Sequence, residues 1–145
     1  MKKIFTKICI ASDHAGYVMK EKIKDYLINK NIPLIDLGTF SEDSVDYPDY
    51  AKKVSKRLIF NKSNAGILVC GSGTGMAITA NKFKGIRAAQ CYSKISTILS
   101  RQHNNANIIC LGSRILKNKE AFNFINFFLS TKFETGRHQK RINKI

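Results

Sequence analysis

The chain has 145 residues, of which 43% are hydrophobic, and a formal net charge of +15. This length suffices for one domain with its own core, and we expect a single domain over residues 1–145. No segment approaches the roughly 20 apolar residues of a transmembrane helix, and no signal peptide is recognised. We therefore expect a cytoplasmic protein with no membrane partner.

Strand-like and helix-like segments alternate along the chain. Short apolar runs predict strands at 7–12, 32–38, 65–70, 86–91 and 106–112. Helical spacing of apolar residues, with Pro48 in one first turn, predicts helices at 15–30, 48–60, 76–82, 94–102, 118–130 and 134–145. This alternation is typical of βαβ units, so the predicted fold class is α/β, with a five-stranded parallel sheet covered on both faces.

The helix predicted at 118–130 is apolar on two sides. One stripe contains Phe122, Ile125, Phe128 and Leu129. Phe124 and Phe127 are expected to point elsewhere, which predicts a helix buried on two sides. The second side packs either against another subunit or under the C-terminal helix, and the sequence leaves both alternatives open.

The positive charge raises the alternative of a nucleic-acid-binding module, because phosphate backbones attract basic surfaces. The lysines, however, are spread over every segment, and no aromatic residues alternate with them. We therefore predict no nucleic-acid partner and keep this class as a remote alternative. A salt-dependent gel shift would distinguish it from an enzyme.

The four cysteines form no C-x-x-C pair, so neither a disulfide framework nor a zinc site is expected. Cys9, Cys91 and Cys110 are predicted to be buried core thiols. Cys70 differs because it ends the apolar run Ile67 to Val69 and opens into a glycine loop. A sulfur beside free N–H groups suits chemistry that creates negative charge next to a removed proton.

The loop after Cys70 contains Gly71, Gly73 and Gly75. Their spacing is not that of a dinucleotide-binding loop, and no Lys-Ser/Thr pair follows as in a phosphate-binding P-loop. A nucleotide site is therefore improbable. The backbone N–H groups and the following helix N-terminus instead predict an anion hole.

Other polar residues are expected near the same edge of the sheet, because ligands of open parallel sheets bind beyond the carboxyl ends of the strands. This rule predicts that these residues lie close together: Asp13, His14, Tyr92 and the segment 112–114, which ends in Arg114. Taken alone, Asp13 would be interpreted as a helix N-cap and Arg114 as a surface charge.

Two further groups follow later in the chain. His103 and Asn104 lie between a helix and the fifth strand, where a lone histidine is usually solvated. Arg137 and Arg141 are four residues apart, so they share one face of a helix. Two guanidinium groups on one face can bind a phosphate, although a solvated basic tail is the common alternative.

Together these segments closely resemble the type B ribose-5-phosphate isomerases and their relatives, the galactose-6-phosphate and allose-6-phosphate isomerases. The motifs that carry the resemblance are SDHAG, DYPDYA, CGSGTGM, ANKFKGIRAA, SRQHNNANIICLGSR and GRHQKR. They span nearly the whole chain in the family's order. The resemblance implies a Rossmann-like α/β/α sandwich, a homodimer or homotetramer, and neither metal nor cofactor.

The resemblance also implies roles for individual residues. Cys70 would move a proton between carbons 2 and 1 of the open sugar, and His103 would protonate the ring oxygen during ring opening, assisted by Ser72. The enediolate oxygens would be held by Gly71, Ser72, Gly73, Thr74, Gly75 and Asn104. Asp13 would contact sugar hydroxyls. The phosphate would be held by His14, Arg114, Arg137 and Arg141. The family's site lies between subunits, with the helix at 134–145 at the interface.

This chain departs from the family pattern at two positions, where Ser72 replaces a common threonine and Thr74 replaces a usually apolar residue. Met76 stands where one branch of the family has a glutamate base, so the chain resembles the cysteine-base branch. The expected reaction is interconversion of ribose 5-phosphate and ribulose 5-phosphate in the pentose phosphate pathway. A six-carbon 6-phosphate isomerase is the alternative within the class.

Overall fold

The computed structural model describes residues 4–62 and 64–145 of the protein. The strands are β1 (Lys7–Ser12), β2 (Leu34–Asp36), β3 (Asn64–Cys70), β4 (Ala88–Gln90) and β5 (Ile108–Gly112). The helices are α1 (Tyr17–Asn29), α2 (Tyr47–Phe60), α3 (Thr74–Ala80), α4 (Lys94–Gln102), α5 (Asn118–Ser130) and α6 (Arg137–Ile142).

The five strands form one parallel sheet in the order β2-β1-β3-β5-β4. This confirms the predicted α/β fold. All seven residues of β3 are buried, because this strand is central and covered on both faces. Alternation along β1 sends Ile8 and Ile10 to one face and Cys9 and Ala11 to the other.

Each face of the sheet carries its own core. On one face, Ile8, Ile10 and Ile67 pack with residues of α1 and α5, including the fully buried Ile23 and Phe128. On the other face, Leu68 and Cys110 pack with residues of α2 and α3. Burial of each large aliphatic or aromatic side chain contributes about 1.5–3 kcal/mol, so these two layers hold the strand ends in place.

Helix α5 lies between α1 and α4, which corrects one expectation. Phe124 is buried in the core and does not point away from it. Phe122 stacks on Tyr26 of α1, with ring centroids 4.4 Å apart. Phe127 lies under the ammonium group of Lys94 in α4. The neighbouring helices of the same chain therefore cover both apolar sides of α5.

Two predicted helix boundaries are wrong in detail. Helix α6 begins at Arg137, because Thr135 and Gly136 have φ values of 60° and 56° and cannot continue a right-handed helix. Helix α3 begins at Thr74, so Thr74 and Gly75 form its first turn and do not belong to the loop. Within the described residues, no helix is long and apolar enough to span a bilayer.

Candidate active site

A cavity of about 360 Å³ lies at the carboxyl ends of the central strands. Its lining comes from the ends of β1, β3 and β5 and from the start of α2: Asp13, His14, Ala15, Tyr47, Cys70, Gly71, Ser72, Gly75, Arg114 and Ile115. The structure thus brings together most of the residues predicted at this edge. Tyr92 is exposed and does not line this cavity.

Cys70 is the last residue of β3 and is only 4% exposed. It pairs in register with Gly112 of β5, and its carbonyl oxygen accepts a hydrogen bond from the Ser113 N–H. The Gly73 N–H donates to the Cys70 Sγ at 3.1 Å. A backbone donor aimed at the sulfur stabilises negative charge there.

The glycine loop is flanked by two side chains that leave no space for larger residues. A Cβ atom at Gly71 would lie 2.9 Å from a guanidinium nitrogen of Arg114. A Cβ atom at Gly75 would lie 2.6 Å from the ring of Tyr47. Gly73 has a φ of 81°, which side-chain-bearing residues rarely adopt. Arg114 and Tyr47 therefore lie close against the backbone at Gly71 and Gly75.

The hydroxyl groups of Ser72, in the loop, and Thr74, the first residue of α3, make local hydrogen bonds. The Thr74 N–H donates to the Ser72 Oγ at 3.3 Å, so this hydroxyl also closes the turn into α3. The Thr74 Oγ1 accepts a hydrogen bond from the Gln90 side chain at 2.8 Å, and Thr74 does not line the cavity.

Asp13 and His14 are fixed by backbone contacts. The Asp13 Oδ1 accepts a hydrogen bond from the Gly16 N–H at 3.0 Å, in the turn before α1. The N-cap of α1 is Gly16, without a side-chain cap, so Asp13 is not the helix N-cap and instead lines the cavity. The His14 Nδ1 lies 3.1 Å from the nitrogen and 3.2 Å from the oxygen of Val45. This contact orients the imidazole, which also lines the cavity.

A second cavity, of about 260 Å³, contains three other predicted residues, His103, Asn104 and Arg141, but not Arg137. It is lined by His103, Asn104, His138, Arg141, Ile142 and Ile145. Arg137 stands at the start of α6, one residue before the buried His138. His103 follows α4, and Glu134 is tied to the end of α4 because its N–H donates to the Gln102 carbonyl.

The His103 and His138 rings stack, with centroids 4.2 Å apart and planes 12° from parallel. Glu134 Oε2 lies 3.5 Å from the His138 Nε2 and 4.0 Å from the His103 Nε2. Burial, reinforced by His103, Arg137 and Arg141, lowers the pKa of His138 despite the opposing effect of Glu134.

These three residues offer ligand atoms within 4.8 Å of one another, so a metal ion is a chemical alternative there. An imidazole nitrogen binds a metal through a lone pair in the ring plane. Two nearly parallel rings cannot hold one ion in both planes, so the observed arrangement of His103 and His138 is unsuited to a shared metal ion.

Arg101 anchors the segment that carries His103. Its guanidinium group donates to the carbonyl oxygens of Ala106 and Thr131 and contacts the rings of both Phe5 and Phe128. Burial, with a smaller effect of the nearby Arg87, lowers the pKa of Arg101 to about 10. The helix end before His103 is therefore fixed by a buried cation that hydrogen-bonds to backbone oxygens.

The two cavities lie at opposite ends of the strands, one at the carboxyl ends and the other at the amino ends. Helix α4 runs back from the carboxyl edge, and the Asn104 carbonyl accepts a hydrogen bond from Arg87, which precedes β4. Cys70 and the start of β5 are four residues apart in register, a distance of about 13 Å along the strands. A single chain therefore does not bring Cys70 and His103 together.

A larger cavity, of about 470 Å³, lies near the amino end of β1. Its lining includes Phe5, Ile32 and Leu129 and none of the predicted site residues. Volume alone therefore does not identify the candidate site, which is defined by its polar groups.

Sequence reasoning missed three residues at the two cavities: Tyr47, Glu134 and His138. Tyr47 and His138 stand inside the quoted motifs DYPDYA and GRHQKR, whereas Glu134 lies two residues before the latter. Helical spacing within GRHQKR draws attention to the arginines four residues apart. The stacking of His138 on His103 depends on a contact between distant segments, which spacing does not reveal.

The chain matches the profile of the ribose/galactose isomerase family over residues 8–145. The ribose-5-phosphate isomerase B of Escherichia coli strain K12 is 40% identical over 139 residues, covering 96% of this chain and 93% of the relative. A crystal structure of a ribose 5-phosphate isomerase from Thermotoga maritima is 52% identical and superposes with a TM-score of 0.94, covering 96% of both chains.

A second similar structure is the ribose-5-phosphate isomerase B of Mycoplasma genitalium with bound ribulose-5-phosphate. It is 42% identical, has a TM-score of 0.92, and the match covers 95% of this chain and 92% of that one. The fold is that of aldose–ketose isomerases of sugar phosphates. The chain belongs to the ribose/galactose isomerase family.

Proposed function

We propose that the protein interconverts D-ribose 5-phosphate and D-ribulose 5-phosphate through an enediolate, with Cys70 as the base. The observation that carries this proposal is the Cys70 thiol at the end of β3, which receives the Gly73 N–H and faces a cavity with Arg114. The relatives in Escherichia coli and Mycoplasma genitalium are both named ribose-5-phosphate isomerase B.

In the proposed reaction, the Cys70 thiolate removes the proton from carbon 2 of the open-chain aldose. The electron pair moves into the carbon 1–carbon 2 bond, and negative charge develops on the carbonyl oxygen at carbon 1. N–H groups of the glycine loop stabilise this charge. The proton of the carbon 2 hydroxyl passes to the oxygen at carbon 1, so that the carbonyl group forms at carbon 2. The Cys70 thiol returns its proton to carbon 1, which yields the ketose and restores the thiolate.

The phosphate supplies binding energy away from the reacting carbons. Arg114 and His14 line the cavity of Cys70, and we assign them to the phosphate together with Arg137 and Arg141. The last two lie on α6, near the second cavity. We assign Asp13 to the sugar hydroxyls.

Ring opening requires a proton donor at the ring oxygen, and we assign this role to His103. Because His103 lies at the opposite edge of its own sheet, we propose that the His103 of a second copy completes each site. A two-fold axis perpendicular to the strands reverses the strand direction in the partner. It thereby places the carboxyl edge of one sheet beside the amino edge of the other.

The surface next to β4 suits such a contact. Strand β4 is an edge strand, and exposed apolar side chains stand on the flanking segments: Ile78 at 58%, Tyr92 at 63%, Ile95 at 70% and Leu99 at 38% exposure. Exposed apolar patches of this kind mark subunit contacts. We therefore propose a homodimer, or a homotetramer of such dimers, of a cytoplasmic enzyme in the pentose phosphate pathway.

The test is a coupled assay on ribose 5-phosphate, with allose 6-phosphate as the comparator. Cys70→Ala is expected to lower turnover by at least about 10²–10⁴-fold, as for loss of a general base. Cys110→Ala is the matched control, because Cys110 is a buried thiol on the same sheet face and lines neither cavity. Its activity should stay within about twofold of wild type.

Retention of most activity in Cys70→Ala would remove this residue from the mechanism. Turnover of allose 6-phosphate in clear preference to ribose 5-phosphate would instead favour the six-carbon alternative.

A further inference from the structure

Gln90 ends the edge strand β4 beside the glycine loop, outside the lining of the Cys70 cavity. Its Nε2 donates to the Ser72 carbonyl oxygen at 2.9 Å and to the Thr74 Oγ1 at 2.8 Å. A carbonyl oxygen can only accept a hydrogen bond, so the nitrogen end of the amide must face the loop. Gln90 therefore connects the edge strand to the loop that follows the base.

The Ser72 carbonyl and the Gly73 N–H belong to one peptide group. A trans peptide directs these two groups in opposite directions. The oxygen receives the Gln90 donor, and the N–H donates to the Cys70 Sγ at 3.1 Å. The hydrogen bonds thus form a chain from the Gln90 Nε2 through this peptide to the sulfur. Donation to the carbonyl oxygen polarises the amide and strengthens its N–H as a donor.

The orientation of this peptide is important because glycines stand on both sides of Ser72. Gly71 and Gly73 permit backbone conformations that other residues avoid, and Gly73 has a φ of 81°. A flipped peptide would turn the Ser72 carbonyl oxygen toward the sulfur, where it would repel a thiolate. The Gln90 donor holds the carbonyl oxygen on the opposite side and so disfavours that flip.

We propose that Gln90 is a positioning residue for Cys70: by binding the Ser72 carbonyl, it orients and polarises the peptide whose N–H stabilises the Cys70 thiolate. This inference rests on the proposed function, in which Cys70 is the base. It also accounts for Thr74, whose hydroxyl accepts the second N–H of the Gln90 amide and fixes the side chain.

The test compares Gln90→Met, which keeps the chain length and lacks a donor, with Gln90→Lys, which keeps a donor. Asn81→Ala is the matched control: the Asn81 amide binds the N–H and carbonyl of Ala88, so its loss loosens β4 without touching the loop. One readout is the rate of alkylation of Cys70 by iodoacetamide against pH, followed on the Cys70 peptide by mass spectrometry. The other readout is kcat and KM.

Gln90→Met is expected to move the alkylation profile to higher pH and to lower the thiolate fraction at pH 7 about three- to tenfold. The kcat should fall by a similar factor, while KM stays within about twofold because the groups assigned to the phosphate are unchanged. Gln90→Lys should restore most of the alkylation rate and most of the kcat. Asn81→Ala should leave the alkylation profile unchanged.

An alkylation profile of Gln90→Met that superimposes on the wild-type profile would overturn the proposal. An equal shift in Asn81→Ala would also overturn it, because the effect would then belong to β4 as a whole. If Gln90→Met fails to fold, Gln90→Glu provides the same comparison, since its ionised carboxylate cannot donate. The alkylation readout needs no substrate, so a failure of the proposed reaction is recognised separately by the absence of wild-type turnover.

Discussion

Mixed oligomers test whether each site combines Cys70 of one copy with His103 of another. Within one chain these residues stand at opposite ends of the strands: the start of β5, which follows His103 in the chain, is already about 13 Å from Cys70 along the strand direction. A general acid and a base that serve one sugar must both come within about 3 Å of it. We therefore expect Cys70→Ala and His103→Asn to be nearly inactive separately and to complement each other when mixed.

The expected activity follows from the two-fold arrangement. Random assembly of equal amounts gives about half heterodimers. Each heterodimer has one site with an intact Cys70 and an intact His103, and one site that lacks both. The mixture should therefore recover about one quarter of the wild-type activity. The assay is the coupled measurement on ribose 5-phosphate after co-refolding or co-expression of the two variants.

The matched control mixes wild type with the double variant Cys70→Ala/His103→Asn. Here both sites of every heterodimer lack one residue, so the activity should fall from about one half to about one quarter of that of pure wild type as subunits exchange. If the single variants gain no activity on mixing while heterodimers are present by mass spectrometry, the two residues do not act across a subunit interface.

Three further predictions concern binding and stability. Arg137→Ala and Arg141→Ala should mainly raise KM for ribose 5-phosphate, and unchanged KM values in steady-state kinetics would refute the phosphate assignment. Burial would raise the pKa of Asp36, but hydrogen bonds from Lys20 and Lys24 lower this pKa below its ordinary value of 3.8. Lys20 is fully buried, and Glu21 remains as its partner at 3.1 Å when Asp36 is replaced. Asp36→Asn should therefore cost about 1–3 kcal/mol in urea unfolding at pH 7. This difference is present above pH 3.8 and shrinks as the pH falls through the lowered pKa. A pH-independent difference would contradict this account. Gly112→Ala places a Cβ atom 2.7 Å from a carbonyl oxygen of the glycine loop, so it should lower the free energy of unfolding by about 1–3 kcal/mol and reduce turnover, whereas unchanged thermal unfolding and activity would show that the loop yields freely.

Local patterns in the sequence were sufficient for the fold. The apolar runs are short, and helical spacing lies between them, so βαβ units and a parallel sheet follow from burial and chain connectivity. The helix ends were less predictable. The start of α6 depends on the positive φ values of Thr135 and Gly136, which the tertiary contacts select.

The sequence alone determined one half of the candidate site: a thiol that ends a buried strand, followed by a loop of closely spaced glycines. Strand ends of a parallel sheet meet at one edge, so Asp13, Cys70 and Arg114 had to lie together. Only the tertiary structure decided that His103 stacks on His138 at the amino ends of the strands. Helix α4 runs back along the sheet, so His103, which follows it, lies far from the carboxyl ends. Likewise, the link from Gln90 to Ser72 joins residues 18 positions apart, and the order of the strands, rather than any local spacing, brings such side chains into contact.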